Sequence, residues 1–263
     1  MKKIPNIAFI ALILLTATFF IIKKCSRHTF QESPIKASGD TLTIAIEYSP
    51  IGMYIDDDSL TGLNYDIAKE IFSRINKPVK IVPVTGFNEG KQLLYDKDVD
   101  LFIPDAAVTG ELKTDFCYTH PVYIDTQVLV CNSDSTVEFN VSQLAMDTVW
   151  VSYDSPFASR LSNLAMEIGD TIYITEDKDI GSEGLLLKIS EGEINKAVVN
   201  RRLANKMLKD KNLNIRIAGE ISFNQFQSWM LLKENQSLCD SINEYISSFK
   251  SSSRYEDIMI KYD

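Results

Sequence analysis

Thr109-Gly-Glu-Leu-Lys-Thr-Asp-Phe-Cys-Tyr-Thr-His-Pro-Val-Tyr123 follows a compact apolar run, Val99-Asp-Leu-Phe-Ile103, and opens into a β-rich run from Tyr123 to Cys131. It reads as the wall of a cleft and the start of a hinge, because the run after Pro121 is long enough to carry the chain from one lobe to another.

Upstream, Thr41-Leu-Thr-Ile-Ala-Ile-Glu47 alternates apolar and small polar residues, which predicts a strand ended by Pro50 and Gly52 in Tyr48-Ser-Pro-Ile-Gly52. The acids Asp56, Asp57 and Asp58 followed by Gly62 predict a polar hairpin, without the spaced ligands and closing glutamate of a calcium loop. Tyr65, Ile67, Ala68, Ile71, Phe72 and Ile75 recur at three and four, so residues 64–76 form an amphipathic helix stopped by Pro78. A strand over Val79–Val84, a short helix over 90–95 and a strand over 99–103 complete a βαβ series and a mainly parallel sheet. In such sheets ligands lie beyond the carboxyl ends of the strands, here Tyr48-Ser49 and Asp105 to Thr109.

The same grammar repeats downstream. Strands are expected at 148–152, 171–175, 196–199 and 214–218, and helices at 157–168, 184–190 and 201–208. The apolar run from Phe223 to Leu232 returns the chain to the first lobe, and helical spacing then continues through Phe249 and over 255–262. The expected organisation is a signal or anchor segment at 1–25, a polar tether at 26–40, a first lobe from 41–122 and 220–263, and a second lobe from 123–219.

A chain of 263 residues with 45% hydrophobic composition can bury real cores, and a net charge of −9 argues against nucleic acid, whose phosphates need a basic face. Lys2 and Lys3, the apolar run from Ile7 to Ile22 and the closing Lys23-Lys24 read as a signal or anchor segment. Small residues at peptidase spacing are absent near its end, and Cys25 stands where a lipidated cysteine can. The expectation is export to the periplasm or cell envelope with retention at the membrane, by signal-anchor or by lipid. Leaving out residues 1–25, with four lysines and no acids, takes the charge from −9 to −13.

The four cysteines, at 25, 117, 131 and 239, make no CxxC pair, and the histidines at 28 and 120 stand apart. No zinc or redox cofactor site follows. Cys117 and Cys131 are either buried thiols or a bridge in an oxidising compartment. Cys117 and His120, three apart on an extended segment, point to opposite faces and make no nucleophile–base pair. No GxSxG, P-loop or HExxH motif is present, so no catalytic residues, cofactor or metal are expected. Asp154-Ser155-Pro156 begins a helix: Ser155 either caps it or leaves its N–H groups to a ligand's oxygen.

Read together, Gly62-Leu-Asn-Tyr-Asp66-Ile-Ala, Val99-Asp100-Leu, Thr109-x-Glu111 and Tyr118-Thr119-x-Pro121-x-Tyr123 resemble the family 3 extracellular solute-binding proteins, with their G-F-D-x-D-L-A, v-D, T-x-E-R and F-S-x-P-Y motifs. In Ser182-Glu183-Gly-Leu-Leu, Gly192-Glu193-Ile, Trp229-Met-Leu-Leu-Lys233 and Ile242-Asn243 the second half is similar to the binding module at the front of the membrane-bound lytic transglycosylases F. The resemblance covers residues 41–263. It implies a two-lobed α/β fold of the type 2 periplasmic binding class, with two crossing hinge strands and a ligand held between the lobes. A lytic domain would lie beyond residue 263, so catalysis does not carry over.

Two departures bear on the ligand. Leu112 stands where the amino-acid binders carry an arginine that grips a carboxylate with two parallel hydrogen bonds, and Lys113 beside it has no such fork. Asn200, next to Arg201 and Arg202, stands where an acid receives the ligand's ammonium. The resemblance implies ligand contacts from Tyr48, Ser49, Tyr54, Asp105, Ala107, Thr109, Leu112, Ser155 and Asn200. The expected function is a membrane-associated, monomeric solute-binding protein serving ABC-type uptake with a permease or other membrane protein as partner. Its ligand is peptide-like or derived from cell wall rather than a plain α-amino acid. The alternatives are a sensory or regulatory module, or a transglycosylase F relative without the lytic domain.

Overall fold

A computed structural model describes residues 41–75, 77–107, 110–134, 139–211 and 213–263. The apolar N-terminal segment, Cys25, the tether and Thr109 lie outside the described residues. Two five-stranded sheets organise the chain. The first takes β1 (Leu42–Glu47), β4 (Val79–Val84), β5 (Leu101–Ile103), β6 (Phe116–Tyr118) and β14 (Met230–Leu232) in the order β4-β1-β5-β14-β6. β2 (Tyr54–Asp56) and β3 (Ser59–Thr61) form the acidic hairpin outside it. The second joins β8 (Gln127–Asn132), β9 (Thr148–Ser152), β10 (Tyr173–Asp177), β11 (Lys196–Asn200) and β12 (Ile215–Glu220) in the order β10-β9-β11-β8-β12.

Each sheet is parallel across its βαβ half, where β1 pairs with β4 and β5, and β9 with β10 and β11. Strands entering from the hinge pair antiparallel: β14 with β5 and β6, and β8 with β11 and β12. A parallel neighbour needs a crossover helix, whereas a strand arriving from the other lobe runs opposite to its new neighbours. The hinge is the antiparallel pair β7 (Tyr123–Asp125) and β13 (Gln225–Gln227).

The burial of β1 on every residue follows from helices on both sides of the first sheet. Alternate side chains of a strand point to opposite faces. Ile44, Ile46, Leu101 and Ile103 join the core with α1 (Leu63–Phe72), α6 (Gln236–Lys250) and α7 (Ser253–Lys261). Phe102 instead meets α2 (Phe87–Tyr95), stacking edge-on against Phe87. Gly90, within α2, lies on the Phe102 ring, and a β-carbon there would come to 2.2 Å from it. Glycine is tolerated inside this helix because any side chain would push the helix off the sheet. Trp229, from the returning segment, is buried and stacks on Phe72 with ring centroids 5.5 Å apart. In the second sheet, α3 (Pro156–Ile168), α4 (Ser182–Glu191) and α5 (Arg201–Lys211) bury Phe157, Leu161, Leu185, Leu186, Ile189, Leu203 and Met207.

Among the described residues no helix is long and apolar enough to cross a membrane. No group of three or more His, Cys, Asp or Glu side chains is placed to hold a metal ion among them.

Candidate functional site

The strand ends that the sequence marks converge. β1 runs out into Tyr48-Ser49 and β5 into Pro104-Asp105, and the 1↔5 register sets these exits side by side. The Ser49 hydroxyl donates to the Asp105 carboxylate and accepts from the backbone N–H of Gly52 at 2.7 Å. Asn64, one residue into α1, donates its amide to the other Asp105 oxygen at 3.0 Å. From the second sheet, Asn200 at the end of β11 donates across to the Asp105 carbonyl. Ser49, Asp105 and Asn200 therefore form one buried junction between the lobes.

Beside Asp105 lies Glu47, the last residue of β1, buried with one carboxylate oxygen unpartnered among the described residues. Burial raises the Asp105 carboxyl to about 7, against the opposing pull of the Ser49 and Asn64 donors. Burial raises Glu47 well above the usual carboxylate range, and the charge of Asp105 raises it further. The two acids share a dry site where both cannot readily ionise, so the pair is not a fixed double negative charge at neutral pH. Asp125, on the hinge strand β7, is raised to about 6 by burial, although it accepts backbone N–H groups from Thr126 and Arg202.

Above the junction the lobes enclose two hollows. One of about 610 Å³ is walled by Tyr48, Pro50, Tyr54, Ile55 and Asp56 on one side and by Glu183, Lys206, Met207 and Asp210 on the other. The second, about 500 Å³, lies between Tyr48 with Pro83–Thr85 and the Asp179–Leu187 segment. Tyr48, half exposed, and Glu183 border both. Sizes of this order suit a ligand of several functional groups. Around the larger hollow three acids, Asp56, Glu183 and Asp210, face one cation, Lys206, which pairs with Asp210 at 2.8 Å.

Two further contacts close the lobes. Lys91 on α2 pairs with Asp154 of the second lobe, and Gly181, at the start of α4, lies so close to Thr85 that a β-carbon on it would sit 2.4 Å from the Thr85 carbonyl oxygen. Of the remaining expected contacts, Tyr54 lines the larger hollow, Ala107 is buried after β5, and Leu112 sits half-buried in the 3₁₀ turn Gly110–Thr114. Ser155 takes the N-cap position of α3, with Pro156 at its first turn, yet its hydroxyl donates to the Ser152 carbonyl at 2.6 Å and does not cap. Its side chain thus caps no N–H of the first turn of α3, where Pro156 has none and Ala158 donates to the Ser155 carbonyl at 3.2 Å. Glu47, Asn64, Glu183, Lys206 and the Lys91–Asp154 pair are site features that sequence reasoning did not single out. Glu183 lay inside the quoted Ser182-Glu183-Gly motif, and only its place on the cleft wall was hidden.

Two sheets, a pair of hinge strands and a polar cleft between them define a two-lobed binding protein that encloses a ligand by closing. The description Bacterial extracellular solute-binding proteins, family 3, matches residues 41–262, and the chain belongs to that family. Among curated relatives, the membrane-bound lytic murein transglycosylase F of Shewanella sp. (strain W3-18-1) is 26% identical over 183 residues, 69% of this chain and 38% of that protein. The chain thus spans well under half of that relative. Among solved structures, an ancestral arginine-binding protein bound to glutamine superposes with a TM-score of 0.74 at 19% identity, covering 86% of this chain and 99% of that one. A chain from work on glutathione import in Streptococcus mutans superposes with a TM-score of 0.73 at 17% identity, covering 86% and 95%. Identities this low establish the shared fold alone.

Proposed function

We propose that this protein is an exported, envelope-held binding protein that captures a peptide-like or cell-wall-derived ligand in its interlobe cleft and serves ABC-type uptake. One observation carries the reading. Asn200, where the amino-acid binders carry the acid for the ligand's ammonium, brings no charge: its Nδ2 donates to the Asp105 carbonyl, and its buried Oδ1 has no partner among the described residues. The arginine that would hold the α-carboxylate is replaced by Leu112. The acids that border the cleft are instead Asp56, Glu183 and Asp210, the last of them paired with Lys206. An amine meeting those acids must stand away from the cleft floor, which suits a ligand longer than one amino acid. Tyr48, Ser49, Tyr54, Asp105, Ala107, Thr109, Leu112, Ser155 and Asn200 are the proposed contacts, with Leu112 an apolar patch.

Similarity to proteins named for lytic murein cleavage favours a second reading, in which the same cleft senses cell-wall fragments for a partner enzyme. Native mass spectrometry of the purified chain tests the first. A copurified peptide or muropeptide is expected, and a copurified single amino acid would overturn it. Crosslinking in cells separates the two readings: permease subunits support uptake, and a cell-wall enzyme alone supports sensing.

A further inference from the structure

The cleft uses neither of two cysteines in the first lobe that lie 122 positions apart in the chain, Cys117 on β6 and Cys239 in the first turns of α6. Both are buried and free. α6 packs against β6, and contacts on each side of the two sulfurs fix how the elements meet. The Cys117 thiol donates to the Leu232 carbonyl at 3.4 Å, on the strand that leads into α6. One helical turn beyond Cys239, on the same face, Asn243 accepts the backbone N–H of His120 at 2.5 Å and donates to the Cys239 sulfur at 3.9 Å. Residues 117–120 are thereby laid along residues 239–243. Between these anchors the two cysteines lie on the two sides of the α6–β6 contact, where each shifts the other's titration.

We propose that Cys117 and Cys239 are a redox pair that closes to a disulfide, stapling the C-terminal helices to the first sheet. The roles are unequal. The bond from Cys239 lowers the Cys117 thiol below its ordinary range, while Cys239 is held well above it. Cys117 is therefore the attacking thiolate. It displaces one thiolate from a small disulfide such as oxidised glutathione, forming a mixed disulfide. Cys239 then gives up its proton and attacks the Cys117 sulfur, releasing the second thiolate. The two protein thiols lose two protons and two electrons, and the small disulfide gains them as two thiols. With both sulfurs buried, this exchange runs before α6 docks or when it transiently lifts. The link would close a long loop and hold α6 and α7, whose Tyr262 hydroxyl in turn accepts the Gly62 N–H at 2.9 Å at the start of α1. Only the compartment in which exchange occurs rests on the proposed export; the pairing does not.

The test uses the full chain, unfolded in guanidinium with a thiol reductant, then refolded into mild detergent with equal concentrations of oxidised and reduced glutathione. Free thiols are trapped and the links mapped by peptide mass spectrometry. The expected result is one dominant Cys117–Cys239 link, with Cys131 trapped as a free thiol. In the oxidised protein amide exchange in α6 and α7 should slow at least tenfold relative to the reduced protein. Cys239→Ser should leave Cys117 free rather than shift it to Cys131. A folded protein with both thiols free throughout, or a Cys117–Cys131 link, overturns the proposal, and neither outcome depends on the ligand or on export.

Discussion

Gly181, on the wall of the smaller hollow, is the point at which lobe closure can be perturbed by a single methyl group. Its backbone is extended, at φ −81° and ψ −174°, so alanine fits the local conformation. What alanine cannot do is keep the contact across the cleft, because its methyl would stand 2.4 Å from the Thr85 carbonyl oxygen. A backbone oxygen cannot rotate away, so the clash is relieved by parting the lobes. Overpacking of this kind costs about 1–3 kcal/mol, and here the cost falls on the closed state alone. At about 1.4 kcal/mol per factor of ten, Gly181→Ala should weaken retention of a cleft ligand by roughly 5- to 150-fold. Gly86 is the matched control, since a β-carbon there would meet only the Gly181 α-carbon, at 4.0 Å, an ordinary contact. Small-angle scattering should show a larger radius of gyration for Gly181→Ala, with unchanged circular dichroism, and Gly86→Ala should behave as wild type. Native mass spectrometry reads retention of the copurified ligand. If Gly181→Ala were as compact as wild type and kept as much ligand, the closure argument would be refuted.

Three other outcomes follow from the same geometry. Asp105 has a folded-state pKa of about 7, above its ordinary 3.8, so its stabilising effect is full below about pH 4 and is lost as pH rises to about 7; thermal melts from pH 4 to 8 should show Asp105→Asn losing less stability over this window, gaining at least about 2–4 °C on wild type at pH 8. Lys91→Met removes a cross-lobe ion pair whose Asp154 partner is 41% exposed, so screening keeps the loss to about 0.2–1 kcal/mol; ligand affinity should fall less than about fivefold in titrations, and the difference should shrink in high salt. Trp229→Ala opens a cavity against Phe72 and should cost about 3–5 kcal/mol in urea unfolding, and a cost under about 1 kcal/mol would contradict its place in the core.

Local periodicity made much of this architecture legible. The helix expected over 64–76 is α1 at Leu63–Phe72, closed at Ser73 short of the expected end, and Thr148–Ser152 became β9 with the same bounds. The β-rich run expected from Tyr123 to Cys131 is two strands, because it first pairs with β13 in the hinge and then, beyond Thr126, enters the second sheet. The strand expected over 171–175 lies at Tyr173–Asp177, since its parallel register to β9 begins at Tyr173 opposite Thr148. What stayed hidden was what strand order brings together. Glu47 and Asp105 meet only because β1 and β5 are neighbours. Lys91 and Asp154 meet only because the lobes close. Cys117 and Cys131, left open between buried thiols and a bridge, are both buried and free, on β6 and β8 of different sheets, and it is the packing of α6 on β6 that brings the Cys239 element beside Cys117. The role of Ser155 was likewise undecidable from its pattern, because Asp-Ser-Pro fits both a cap and a hydroxyl turned back to the Ser152 carbonyl.

The measurement that bears most directly on the central claim is isothermal titration of the purified, ligand-stripped protein, first with the common α-amino acids and then with short cell-wall peptides. With Leu112 in place of the gripping arginine and the uncharged Asn200 in place of the acid, no single amino acid should bind at micromolar affinity, and at least one peptide should. A plain α-amino acid binding at micromolar affinity or better would contradict the account.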